Sequence, residues 1–152
     1  MNMNQLTQRS LAALQGAQDI AREYGNQQIE QPHLLLALVG DREGFIPQLL
    51  TAMGMTVPSF EAAVKAEVEK LPKVTVSGRE ADKVYVSQDV DRALKAAEQE
   101  AQAMKDEYIS VEHLFLGLLA HPNSALKELF RAYNVTKESV MQALATVRGN
   151  QR

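Results

Sequence analysis

A chain of 152 residues and 16.8 kDa, 45% hydrophobic but only 5% aromatic, has room for one domain or for two small units sharing a core. Its net charge of −3, the absence of a basic stripe and the scarcity of stacking aromatics exclude the electrostatic footprint of nucleic-acid binding, and the absence of cysteine excludes disulfides and thiolate metal sites. The opening residues MNMNQLTQRS show neither a signal peptide nor a transit helix, and the longest apolar run, Leu34–Val39, is too short for a bilayer, so the expectation is a cytoplasmic protein without a membrane partner.

Displaced by 80 residues, the sequence aligns with itself without a gap over 7–64 and 87–144. Identity holds at 15 of 58 positions, where chance gives about four. Leu14, Ala17 and Ala21 fall on Leu94, Ala97 and Ala101; His33, Leu34, Leu36 and Leu38 fall on His113, Leu114, Leu116 and Leu118. The chain therefore divides into a first copy at 7–71, a connector at 72–86 and a second copy at 87–148.

In chain order, Thr7 and Ser87 stand at the same phase, and each can cap the helix that follows. Apolar residues then recur at helical spacing: Leu14, Ala17, Ala21 and Tyr24 in one copy, Val90, Leu94, Ala97, Ala101 and Met104 in the other. Gly25-Asn26 stops the first of these helices, whereas Lys105-Asp106 is a weaker stop. After a turn ending at Ile29 or Ile109 come two helices that are apolar on nearly every face, Pro32–Val39 and Glu112–Leu119, predicted to be central and buried. Ser110 suits an N-cap, and Pro32 suits a first turn. A third helix, near Ile46–Met53 and Ala125–Tyr133, ends at Gly54 or Asn134, residue types that tolerate a left-handed backbone. A fourth begins at Thr56 or Thr136 and runs to about Leu71 or Val147. The connector PKVTVSGREADKVYV has no helical period and reads as an exposed, partly extended link. The predicted fold is all-α: about eight helices in two pseudo-twofold four-helix repeats.

Motifs for catalysis are absent: there is no phosphate loop, GxSxG elbow, HExxH pair or dinucleotide fingerprint. His33 and His113 are related by the repeat and admit two readings, a structural bond in the first turn of a buried helix or a metal or acid–base pair in a small enzyme. His121 reads as a surface turn residue. Residues that break the internal symmetry are the stronger functional candidates. Asp106 stands opposite Asn26 and Glu112 opposite Pro32; the bland reading of these acids is a solvated capping turn. Leu11 and Ile20, opposite Asp91 and Glu100, are either core positions of the first copy or part of a binding face. Met53, Met55, Met104 and Met141 fall at core-compatible phases, where they also suit an adaptable groove.

The segments LTQRSLAALQGAQDIAREYGNQQIEQPHLLLALV and YISVEHLFLGLL, with the closing VRGNQR, resemble the N-terminal domain of the Clp family of AAA+ chaperones, and its protein-disaggregase members most. The resemblance runs from Leu6 to Arg148. It implies a double four-helix domain linked to a homohexameric ATPase that uses ATP and magnesium, with no cofactor in this chain itself; separately, the acidic balance and the lack of a long exposed heptad lead to the expectation that the isolated chain is a monomer. It implies binding of unfolded or aggregated polypeptide, with a cooperating chaperone system or adaptor as further partners. Thr7, Asp106 and Glu112 match positions tied to chaperone activity in that family. Leu94 matches a position of the family's apolar substrate groove, and His113 falls at another that can carry leucine. Protease-linked relatives have paired glutamates opening the two central helices, forming twin phosphoarginine sites; here Pro32 replaces one of the pair. Three functions follow as expectations: a substrate-binding module of a disaggregase, an adaptor-docking domain, or a small His-dependent metal enzyme.

Overall fold

Thr7 and Ser87 open equivalent helices. The backbone N–H of Ser10 donates to Thr7 Oγ1 at 3.1 Å, and that of Val90 donates to Ser87 Oγ at 3.2 Å. These caps satisfy donors that a helix start otherwise leaves unpaired. The computed structural model describes residues 2–74 and 84–150. The first copy holds α1 (Gln8–Glu23), β1 (Gln28–Ile29), α2 (Gln31–Gly40), α3 (Phe45–Ala52) and α4 (Val57–Glu69). After β2 (Tyr85–Val86) the second copy holds α5 (Gln88–Ala103), α6 (Val111–Ala120), α7 (Ser124–Ala132) and α8 (Lys137–Asn150). The fold is all-α, with two two-residue strands as its only sheet among the described residues.

Helix ends match between copies even where the residues differ. Gly25 and Lys105 both adopt positive φ, at 70° and 59°, as do Gly54 and Asn134, at 80° and 56°. The weak stop expected at Lys105 is thus as sharp as its glycine counterpart: Asp106 N–H bonds to the Ala101 carbonyl at 2.9 Å, as Asn26 N–H does to Ala21 at 2.8 Å. Local turn bonds accompany the left-handed lysine, whose own N–H bonds to the Gln102 carbonyl at 3.0 Å. Of the connector, residues 75–83 lie outside the described residues; Val74 and Val86 on either side are exposed, and Tyr85–Val86 is extended.

The two copies share one core. α2 and α6 are buried along almost their whole length, and Leu34, Leu35, Leu114, Phe115, Leu116 and Leu118 have essentially no exposure. Truncating such a side chain to alanine costs about 2–5 kcal/mol. Phe60 of α4 meets Tyr133, just beyond α7, edge to face at 5.0 Å, which joins the copies at one end.

The copies also exchange backbone bonds. β1 and β2 pair in parallel, Ile29 opposite Val86, and Leu6 makes a parallel bridge with Ile109. Under the repeat these are one contact made twice: the lead-in to each copy pairs with the turn of the other. Accordingly Thr7 N–H donates to the Ile109 carbonyl and Ser87 N–H to the Ile29 carbonyl, each at 3.1 Å. Gln31 adds an asymmetric pin. Wholly buried, its amide donates to the carbonyls of Asp89 and His121 at 2.9 and 2.8 Å and accepts from Asn123 N–H at 2.7 Å. All three partners belong to the second copy.

Candidate functional site

The exchanged backbone contact places Thr7 on the turn before α6. Its hydroxyl donates to Ser10 Oγ at 3.0 Å, and Ser10 in turn donates to the Ile109 carbonyl at 2.8 Å. This buried relay fixes the start of α1 against the turn that runs from Asp106 to Ser110.

On that turn, His113 is the third residue of α6 and reaches back along the chain. Its Nδ1 accepts from the Ser110 N–H at 2.8 Å, so the ring proton sits on Nε2, 2.7 Å from Asp106 Oδ2. His33 repeats the geometry, with Nδ1 accepting from Glu30 N–H and Nε2 facing Asn26 Oδ1, both at 2.8 Å. Both ring nitrogens of each histidine are therefore occupied, and both residues are wholly buried. The expectation that His113 lines a groove gives way here: with no exposed surface, it supports Asp106 from behind. Burial also pushes the His33 imidazole down from 6.5 to about 4.

Asp106 and Glu112 converge on Arg148, in the last turns of α8. Arg148 Nη2 lies 2.8 Å from both Asp106 Oδ2 and Glu112 Oε2, and Nε lies 3.1 Å from Glu112 Oε2. Burial alone would raise the Asp106 carboxyl, but the hydrogen bonds from Arg148 and His113 and the Arg148 charge hold it below its ordinary value. Glu112 does not sit in a solvated turn. Its side chain is 9% exposed, and it is buried because the guanidinium of α8 covers it.

In front of this cluster lies a groove of about 700 Å³ with both charged and apolar walls, bounded by Thr7, Arg9, Phe45, Gln48, Glu112 and Arg148. A second cavity of about 730 Å³ adjoins it, since Arg9, Phe45 and Val111 line both. The second cavity has an apolar wall formed by Ala13, Gly16 and Ile20 of α1 and Leu36 and Ala37 of α2. An ion pair between Arg9 and Asp41, at 3.0 Å, stands at its edge.

Of the sequence candidates, then, Thr7 and Glu112 face one groove, and Asp106 reaches it through Arg148. Ile20 lines the neighbouring cavity. Leu94 and Leu11 line neither; both are half-buried and packed on the core. No methionine lines either cavity. Arg148, Arg9 and Phe45 were not legible as site residues. Arg148 left one signal: it stands where the repeat has Val68, a core residue, so a charge there requires partners.

A duplicated four-helix unit with a shared core is the mark of a repeat domain, and one family of chaperone N-terminal domains matches it. The chain belongs to that family, the Clp repeat N-terminal domains, whose model matches residues 5–133. It is 34% identical to chaperone protein ClpB of Bacillus cereus over 152 residues, all of this chain and 17% of that relative. The chain thus spans about a sixth of the length of such relatives. The Hsp104 N-terminal domain of Candida albicans has the same fold, with a TM-score of 0.79 at 22% identity, covering 97% of this chain and 93% of that one. A solved complex of the ClpV N-domain with a VipB peptide has a TM-score of 0.73 at 17% identity, covering 95% and 87%. As a Clp N-terminal domain, the chain is a binding module rather than the ATPase of such chaperones.

Proposed function

We propose that this domain engages unfolded or aggregated polypeptide for a ClpB-type disaggregase, with two adjoining grooves as its binding surface, one between α1, α3 and α6 and the other between α1, α2 and α4. The observation that carries this reading is the convergence of Thr7, Glu112 and the Asp106–Arg148 pair on one open groove, beside a second groove with an apolar wall. An extended, misfolded segment offers both apolar side chains and free backbone groups, which suits a groove carrying Arg9, Glu112 and Arg148 beside one with an apolar wall. Binding to one domain is weak, because the chain it orders opposes it; six copies on a ring would compensate by multivalency. ATP and magnesium belong to the ATPase modules of such a parent.

The test is binding of this chain to a carboxymethylated, permanently unfolded protein and to its native form. The expected result is weak binding to the unfolded form only, independent of ATP, and reduced several-fold by Thr7→Ala, Asp106→Asn and Glu112→Gln. Thermal melts accompany the titrations. Glu112→Ala, which leaves Arg148 with one acid, costs on the order of 1–2 kcal/mol. Tight, saturable binding to one folded protein, with none to unfolded chains, would assign the groove to adaptor docking. Loss of stability with unchanged binding in all three variants would make these residues scaffolding.

A further inference from the structure

Asp106, Glu112 and Arg148 all depart from the repeat, and they depart together. Their counterparts in the first copy are Asn26, Pro32 and Val68, none of which is charged. The underlying geometry is nevertheless conserved between copies. Asn26 and Asp106 occupy equivalent turns, each bonded to its histidine, and each ties down the end of the fourth helix of its copy. Asn26 does so with a neutral bond, its amide donating to the Pro72 carbonyl beyond α4 at 3.0 Å. Asp106 does so with an ion pair to Arg148 near the end of α8, reinforced by Glu112. The neutral tether involves a turn residue that is 7% exposed. The ionic one reaches solvent, since the Arg148 side chain is 30% exposed and forms part of the groove wall with Glu112.

We infer that Arg148 is a releasable clasp: it holds the end of α8 against the start of α6, and a polypeptide entering the groove displaces it and loosens that helix end. The occupant reaches Glu112 and Arg148 directly, because both face the groove. A backbone or side chain that bonds either member competes with the fork. The end of α4 has no such release: its tether is neutral, neither Asn26 nor Pro72 lines either cavity, and its ion pair, Lys70–Glu67 at 2.9 Å, is local to the helix end and joins it to no other element. Arg148 is in this sense a positioning residue, acting through the two acids. The displacement step rests on the proposed function; the ionic holding of α8 does not.

The experiment measures amide hydrogen exchange of the whole chain at Thr146, Val147 and Arg148 in α8 and at Val68, Glu69 and Lys70 at the end of α4. In Arg148→Met the α8 amides are expected to exchange roughly tenfold faster, with the α4 amides unchanged. Arg148→Lys, which keeps the charge but loses the fork, falls between. Raising salt from about 0.05 to about 0.5 M should speed the α8 amides in the wild type and leave those of Arg148→Met unmoved. Adding carboxymethylated α-lactalbumin should speed the same α8 amides in the wild type only. Equal exchange in wild type and Arg148→Met, or equal salt response at both helix ends, would overturn the clasp. Binding of the probe without any change at α8 would overturn its coupling to the groove. Failure of the probe to bind would count against the functional reading, and the salt series would still decide whether α8 is held ionically.

Discussion

At the scale of single residues, the buried His33 sets a measurable pH dependence. His33 is buried with its Nδ1 accepting a backbone N–H, so protonation breaks a bond as well as burying a charge. Its folded value of about 4 lies below its ordinary 6.5, so the unfolded chain binds more protons between them. Stability from this group is therefore full above about 6.5 and is lost as pH falls toward about 4. Thermal midpoints across that window should decline in the wild type and decline less in His33→Gln, glutamine being an ordinary partner at this helix position. An unchanged slope in His33→Gln would exclude His33 as its source. Asp106 acts further down: its carboxyl is held low in the folded state, so its contribution is present above its ordinary 3.8 and fades as pH falls below it. Asp106→Asn should flatten the stability curve only in that acid range.

At the scale of elements, the copies diverge in how closely their first two helices approach. A Cβ added at Gly117 of α6 would collide with the Ala93 carbonyl oxygen and lie 2.9 Å from the Ala97 nitrogen, both backbone atoms of α5. In the first copy the glycine is on the partner helix: Gly16 of α1 faces Ala37 of α2, and its added Cβ would meet the Ala37 Cβ at an ordinary 3.5 Å. Gly117→Ala must push α5 and α6 apart, at a cost of about 1–3 kcal/mol or more. Gly16→Ala meets no obstacle and gains helix propensity, stabilising by up to about 1 kcal/mol. Denaturant melts of the two variants should shift in opposite directions. A shift in the same direction would mean that the helix pairs are equally close in solution.

At the scale of the whole molecule, the exchanged strand contacts and the Gln31 pin make the copies mutually dependent. Thr7 and Ser87 begin their helices on the other copy's turn, and each unit is small for an independent core. Fragments ending at residue 74 and beginning at residue 84 should each lack a cooperative melt and regain one when mixed. A sigmoidal melt from either fragment alone would show that the repeat is an autonomous fold.

Much of this was legible in the chain. Helix starts at Thr7, Ser87 and Ser110 were readable because a cap is a local contact, and so were stops at Gly25, Gly54 and Asn134. The two buried helices were readable because nearly every residue in them is apolar. The repeat added a second witness to each element, and its violations at Asp106 and Glu112 pointed to the groove region before any geometry was known. What those acids do was not legible. Their partner Arg148 lies far along the chain, and nothing in local periodicity links it to them. The burial of His113 and the crossing of Gln31 into the second copy likewise depend on neighbours distant in sequence. Local free energies of capping, propensity and hydrophobic spacing are written in short windows, so the sequence by itself determined the elements and their duplication. The ion pairs, the exchanged strands and the grooves arise from groups brought together only when the copies pack, and the tertiary structure alone decided them.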